Sequence, residues 1–239
     1  MRSIRFDHIA IGLPRLADAV PVLVGALGGT PDAGATSEVF RWGCWRFAGG
    51  GRIEIIEPRG DDGFLHRFLA ERGPGIHHVT FKVPSLSQAC ARAEVDGFKV
   101  VGFDDTDPAW KEAFLHPKHA LGIVVQLAEP ARGGEDPRRS PPPPGPANPL
   151  LPVTILGLRL RARSRERAMT LWEGVLQAEC SGDTAGELVF RWKGSPMRIA
   201  VEIDPAAEEG PLAIEFASER EVALPGSSHA LDALFMRRP

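Results

Sequence analysis

Cysteine is scarce in this chain of 239 residues. There are three, Cys44, Cys90 and Cys180, odd in number and far apart. Neither a disulfide framework nor a zinc site has that spacing, and a reducing cytoplasm is the expected location. Basic charge is not in excess: 28 Lys and Arg stand against 31 Asp and Glu, giving a net charge of −3 and a pI near 6.2. That balance argues against nucleic acid or an anionic membrane as partner. No apolar run approaches the roughly 18–20 residues of a spanning helix, so no membrane partner is expected. The opening MRSIRFDHIAIGL has a charged start, but its apolar run is too short and too interrupted for a signal peptide. GxGxxG, P-loop and nucleophile-elbow motifs are also missing, which removes the common phosphate cradles and the activated serine. What is left has the ordinary hydrophobic (43%) and charged (25%) content of a globular protein, long enough for one large or two small domains.

Proline is concentrated in one place. The stretch ARGGEDPRRSPPPPGPANPLLP, 131–152, excludes helix and central strand, because proline lacks the N–H and fixes φ. It reads as an extended polyproline-type linker, with recognition of PPPPGP by a partner as the lesser reading. The expected division is 1–130, linker 131–152, and 153–239.

The first part contains a repeat. FDHIAIGLPRLADAV (6–20) matches IHHVTFKVPSLSQAC (76–90) at a constant offset of 70, pairing His8 with His78 and Pro14 with Pro84. Each is a period-two strand, a proline turn and a helical segment. The first helix is expected to bury Leu16, Ala19, Val20, Leu23 and Leu27 and to bend at Pro21. RIEIIEP (52–58) matches GIVVQLAEP (122–130), aligned on Pro58 and Pro130 with Glu54 opposite Gln126. Between them EVFRWGCWRFA, FKVVGF and KEAFLHP are the expected middle strands, although EAFL also suits a helix. A third copy, TILGLRLRARSRERAMTLWEGVLQ with ELVFRW and MRIAVEID, follows the linker. There Gly157 or a neighbour replaces His8, and Ala200 or Val201 replaces Glu54. The remainder offers one strand and one short helix.

Strand alternation sorts the faces. Ile9 with Ile11, Val79 with Phe81, Ile53 with Ile55, and Val125 with Leu127 form aliphatic faces that helices would cover. The opposite faces carry His8, His78, Glu54 and Gln126. His77 falls on the aliphatic side, as a capping or packing residue. A single strand histidine is usually a hydrogen-bonded core residue, but this one recurs with a polar companion in each copy. Two imidazoles, a carboxylate and an amide oxygen suit a divalent Fe, Co, Ni, Mn or Zn ion.

DHIAI, GIHHVTFKV, FLHPK and GIVVQL, in this order and spacing, resemble the vicinal oxygen chelate superfamily, and most closely its methylmalonyl-CoA epimerases and glyoxalase-like relatives. The resemblance covers about residues 5–130. It implies an α+β fold of tandem βαβββ modules in a curved, barrel-like sheet with helices outside, followed by a degenerate, truncated half lacking the ligands. It implies a metal held by His8, Glu54, His78 and Gln126, with Glu54 and Gln126 as the catalytic positions and Arg46, Thr80 and Lys82 facing the substrate. The implied activity is that of a metal-dependent isomerase or lyase acting on a small carbonyl or acyl-CoA-type substrate, with homodimerisation open to it. The alternatives are a bleomycin-resistance-like binding protein without chemistry and an Fe(II) dioxygenase. The chain departs from the epimerases at two places. They carry glutamate at the position of Gln126, and a second glutamate on the middle strand of the first module, aligned here with Arg46. Neither an amide nor a guanidinium can exchange the proton an epimerase moves.

Overall fold

A computed structural model of the chain describes residues 3–131, 142–184, 186–224 and 229–238. In the first part the strands are β1 (Arg5–Gly12), β2 (Thr30–Thr36), β3 (Phe40–Arg46), β4 (Arg52–Pro58), β5 (Gly75–Lys82), β6 (Val100–Asp104), β7 (Trp110–Leu115) and β8 (Val124–Pro130). They form one sheet in the order β2-β3-β4-β1-β5-β8-β7-β6. The order reads as the same four-strand set twice, which is the sequence repeat in three dimensions. The sheet is open, with β2 and β6 at its edges, and is not a closed barrel. A second sheet contains β9 (Thr154–Ala162), β10 (Glu179–Thr184), β11 (Glu187–Arg191), β12 (Arg198–Ile203), β13 (Gly210–Ala217), β14 (His229–Ala230) and β15 (Ala233–Arg237), in the order β10-β11-β12-β9-β13-β15-β14. Each full module is thus strand, helix and three strands, with the first and last strands parallel neighbours joined by the helical crossover.

In the first two modules a helical segment follows the strand–proline boundary; in the third it follows β9 directly, with Ser164 as its cap. In the first module the expected single helix is two short ones: a 3-10 turn over Leu16–Ala19 and a π-helical segment over Pro21–Ala26. Pro21 stands at the switch, where its missing N–H ends one hydrogen-bonding pattern and allows another. Leu16, Ala19, Leu23 and Leu27 are buried as expected, and Val22 and Val24 join them, whereas Val20 is half-buried. In the second module α2 spans Leu86–Val95 and is capped by the Ser85 hydroxyl. Glu57 and Glu129, each just before the aligned proline, accept the Leu16 and Leu86 amides at 2.6 and 2.7 Å. The repeated Glu-Pro is therefore a helix-start device: a carboxylate on otherwise orphaned N–H groups.

Of the two readings open to KEAFLHP, strand and helix, the strand is found: residues 110–115 pair throughout with β8, and tertiary pairing overrides the helical propensity of EAFL. The short helix expected in the C-terminal remainder is corrected: Ala233–Arg237 form β15 beside β13, and no helix lies after β13 among the described residues. A helix absent from the expectation, α1 (Phe64–Arg72), follows β4; Leu65 and Phe68, three apart, meet the backbone at Gly12.

By packing, the chain forms two compact units: Met1–Asp7, His78–Gly134 and Gly157–Leu212, and His8–His77, Glu135–Leu156 and Ala213–Pro239. The first is centred on aromatic rings. Phe6 stacks on Phe81 at 4.9 Å, Trp192 lies 4.7 Å from Phe81, and Trp172 is fully buried beside them. In the second, the proline-rich residues 142–153 form neither helix nor strand, yet they are packed. Pro142 is buried where a side chain at Gly43 would stand, and Val153 exchanges backbone hydrogen bonds with Leu27 and Ala48. Arg220 ties the same stretch down through the Leu151 and Ala26 carbonyls. Residues 132–141 of the expected linker lie outside the described residues. No helix among the described residues is long and apolar enough to cross a membrane.

Candidate metal centre

The register builds the same donor geometry twice. In the first module Ala10 lies opposite Glu54, and His8 is two residues earlier on the same face of β1. In the second, Thr80 lies opposite Gln126, and His78 is again two residues earlier. His8 Nε2 is 3.6 Å from Glu54 Oε1, with both side chains largely buried. One ligand atom from each of His8, Glu54 and His78 lies within 4.8 Å of the others. Two buried imidazoles and a carboxylate at that separation are a chemically suitable N,N,O set for a divalent transition metal. His77 goes the other way, as alternation requires. Its ring packs on Phe68 at 4.7 Å and Phe64 at 5.6 Å. Burial, and secondarily the Arg72 charge, lower its pKa to about 4, so it is a neutral packing residue.

Gln126 is held at both ends of its amide. Its Oε1 accepts from the Thr80 hydroxyl at 2.5 Å, and its Nε2 donates to Glu112 Oε2 at 2.7 Å. The same carboxylate oxygen accepts the Trp110 indole N–H at 2.9 Å. Lys82 pairs with Asp7 at 2.8 Å and lies 5.8 Å from the Trp110 ring centroid. Arg46 and Arg52, cross-strand neighbours, share Asp32 at 3.6 and 2.8 Å, and the Arg46 side chain is half exposed. The expected substrate-facing cations therefore carry acidic partners of their own. Glu112 and Asp7 are missed by sequence reasoning for different reasons. EAFL was ambiguous between helix and strand, so Glu112 had no face; read as strand, it falls on the Gln126 side. Strict alternation put Asp7 away from His8, which hid its link to Lys82.

The back half has lost the donors by construction. The β9–β12 register sets Gly157 opposite Arg198 and Arg159 opposite Ala200, so Gly157 and Ala200 are together the counterparts of His8 and Glu54. A Cβ at Gly157 would lie 1.9 Å from the Arg198 carbonyl oxygen, so no side chain fits there. Arg159, buried, pairs instead with Glu187 at 2.9 Å. A separate pocket of about 240 Å³, lined by Arg41, Trp42, Glu57, Arg59 and Pro142 among others, contains none of the donors.

With donors and modules in place, the chain can be compared with known proteins. Residues 7–114 match the model of the Glyoxalase/Bleomycin resistance protein/Dioxygenase superfamily. Over 133 residues, 53% of this chain and 92% of the relative, it is 31% identical to the uncharacterized protein YqjC of Bacillus subtilis (strain 168). The chain belongs to this superfamily. A second superfamily relative, the mitochondrial methylmalonyl-CoA epimerase of Dictyostelium discoideum, is 25% identical over 135 residues, 52% of this chain and 78% of that protein. Among solved structures, a mutant of 4-hydroxymandelate synthase from Streptomyces coelicolor superposes with a TM-score of 0.65 at 13% identity. That match covers 92% of this chain and 72% of the synthase, so the likeness in fold extends through the back half.

Proposed function

We propose that the protein is a divalent-metal-dependent enzyme of glyoxalase or epimerase type, acting on a small carbonyl or acyl-CoA-type substrate. The observation that carries this reading is the convergence of His8, Glu54 and His78. In the proposal Gln126 completes the set as a neutral oxygen donor, and residues 153–239 serve as a degenerate half without a metal. His8, Glu54, His78 and Gln126 would hold a divalent ion, which would supply Lewis acidity toward a substrate carbonyl and lower the cost of enolate-like charge. The chain's residues do the rest. His8 and His78 are neutral nitrogen donors. Glu54 is the one titratable acid of the set and carries the proton-transfer role at its carboxylate. Gln126 orients without taking a proton, and Thr80 fixes its amide. Lys82 and Arg46, each tempered by an aspartate, offer positive charge to an anionic substrate. The epimerase relative supports the acyl-thioester class.

The test is isotope exchange. Protein loaded with cobalt is incubated in D2O with a panel of 2-substituted acyl-CoA thioesters and 2-oxo compounds, and α-hydrogen exchange is followed by mass spectrometry. The proposal expects exchange with at least one class, abolished by chelator and by Glu54→Gln. Metal-replete protein exchanging none of them would contradict it. A second reading rests on the donor types themselves: two histidines and one carboxylate also suit an Fe(II) oxygenase. Oxygen uptake by the iron-loaded protein separates the two. A purely ligand-binding protein is separated from both by failing to retain metal.

A further inference from the structure

We infer that Glu112 is a positioning residue that locks the Gln126 side chain so that its carbonyl oxygen, and not its amino group, is the atom available to a metal. The inference rests on the metal-centre reading above. A glutamine amide can rotate by half a turn and exchange its oxygen for its nitrogen. Here the two ends face unlike partners. A carboxylate can only accept, so Glu112 requires the NH2 group at 2.7 Å; the Thr80 hydroxyl then donates to Oε1 at 2.5 Å. Turning the amide would set two acceptor oxygens against each other in a site where Thr80 is fully buried and Gln126 is 8% exposed. Trp110 holds the carboxylate in place by donating its indole N–H to the same oxygen.

The arrangement also restores charge. An amide ligand leaves the centre one negative charge poorer than a carboxylate would. A carboxylate bonded to the amide N–H polarises it and raises the electron density on Oε1, the usual effect of an outer-shell acid on a metal ligand. The internal repeat shows that this is a property of the second module. The register counterpart of Glu112 is Trp42, which lies opposite Ile56 as Glu112 lies opposite Ala128. In the first module the charge sits on the donor itself, Glu54. In the second it stands one residue behind the donor.

The test uses the full chain, freed of metal and titrated with Co(II) by calorimetry and by its d–d absorption bands. The variants are E112A, E112Q, Q126E and E112Q/Q126E. Loss of an outer-shell partner typically weakens a metal by about 10–100-fold, and E112A is expected within that range, with E112Q, which keeps the shape, weakened less and its Co(II) bands shifted. Q126E alone sets two carboxylates together and lowers the melting temperature of the metal-free protein. E112Q/Q126E reverses the direction of the hydrogen bond, so it recovers that melting temperature and binds Co(II) at least as tightly as the wild type. A wild type that binds Co(II) while E112A and E112Q bind it unchanged overturns the inference and leaves the metal centre standing. A wild type that binds none of Co, Ni, Mn, Fe or Zn overturns the metal-centre reading, and the inference with it.

Discussion

Cys90 is nearly inaccessible on the inner side of α2, and burial, with a smaller contribution from Glu94, raises its thiol pKa to about 11. Raising the pKa leaves less thiolate at any given pH, on the order of one part in a thousand at pH 8. Cys90 should therefore resist iodoacetamide in the native protein at pH 8, with a rate that climbs about tenfold per pH unit toward 11. Peptide mass mapping after timed alkylation checks this; labelling of Cys90 as fast as a free thiol would contradict the packing described for α2. At the same scale, the histidines show what alternation can and cannot reveal. His8 and His78 are legible in the sequence because each recurs at the same place in a repeated strand, and His77 is legible as their opposite. Glu112 is not, because a face can be assigned only after helix and strand have been told apart. Residues as short as EAFL carry too little pattern for that; the β7–β8 pairing decides it.

Among the elements, strands with strict alternation and a proline stop were readable throughout: β1, β4, β5, β8 and β12 lie where their patterns put them. The helix after β1 was readable as apolar periodicity but not as two helix types, since the 3-10 to π switch depends on how Pro21 and its neighbours settle against the sheet. Gly157 makes the strongest claim at this scale: backbone approach, more than the choice of side chain, empties the third module of its histidine. Gly157→Ala places a methyl group against the Arg198 carbonyl at a φ of +137°. It should cost about 2–5 kcal/mol in chemical denaturation. Gly194→Ala is the control, with a φ of +76° and open space around its Cβ, and should cost only about 1 kcal/mol. Equal costs for the two would show that β9 and β12 do not approach as described.

Over the whole molecule, the same strand–helix–three-strand module recurs in both halves, while among the described residues the cluster of metal donors occurs in one. The second half carries ion pairs with one buried partner each: Arg159 with the part-exposed Glu187, and Glu215, wholly buried, with the part-exposed Arg238 at 3.0 Å. Removing one partner of such a pair strands the other charge, which accounts for their being kept together. The duplicated topology was legible because repeats survive in sequence as spacing. The grouping of the chain into two compact units was not, because it depends on which helices and aromatic rings meet across long sequence separations. The account as a whole turns on the three converging donors. The measurement that tests them most directly is elemental analysis of protein purified without chelator, beside the His8→Ala/His78→Ala double variant. The account predicts about one transition metal per chain, lost in the variant. No metal in either protein, even after incubation with cobalt or nickel, would contradict it.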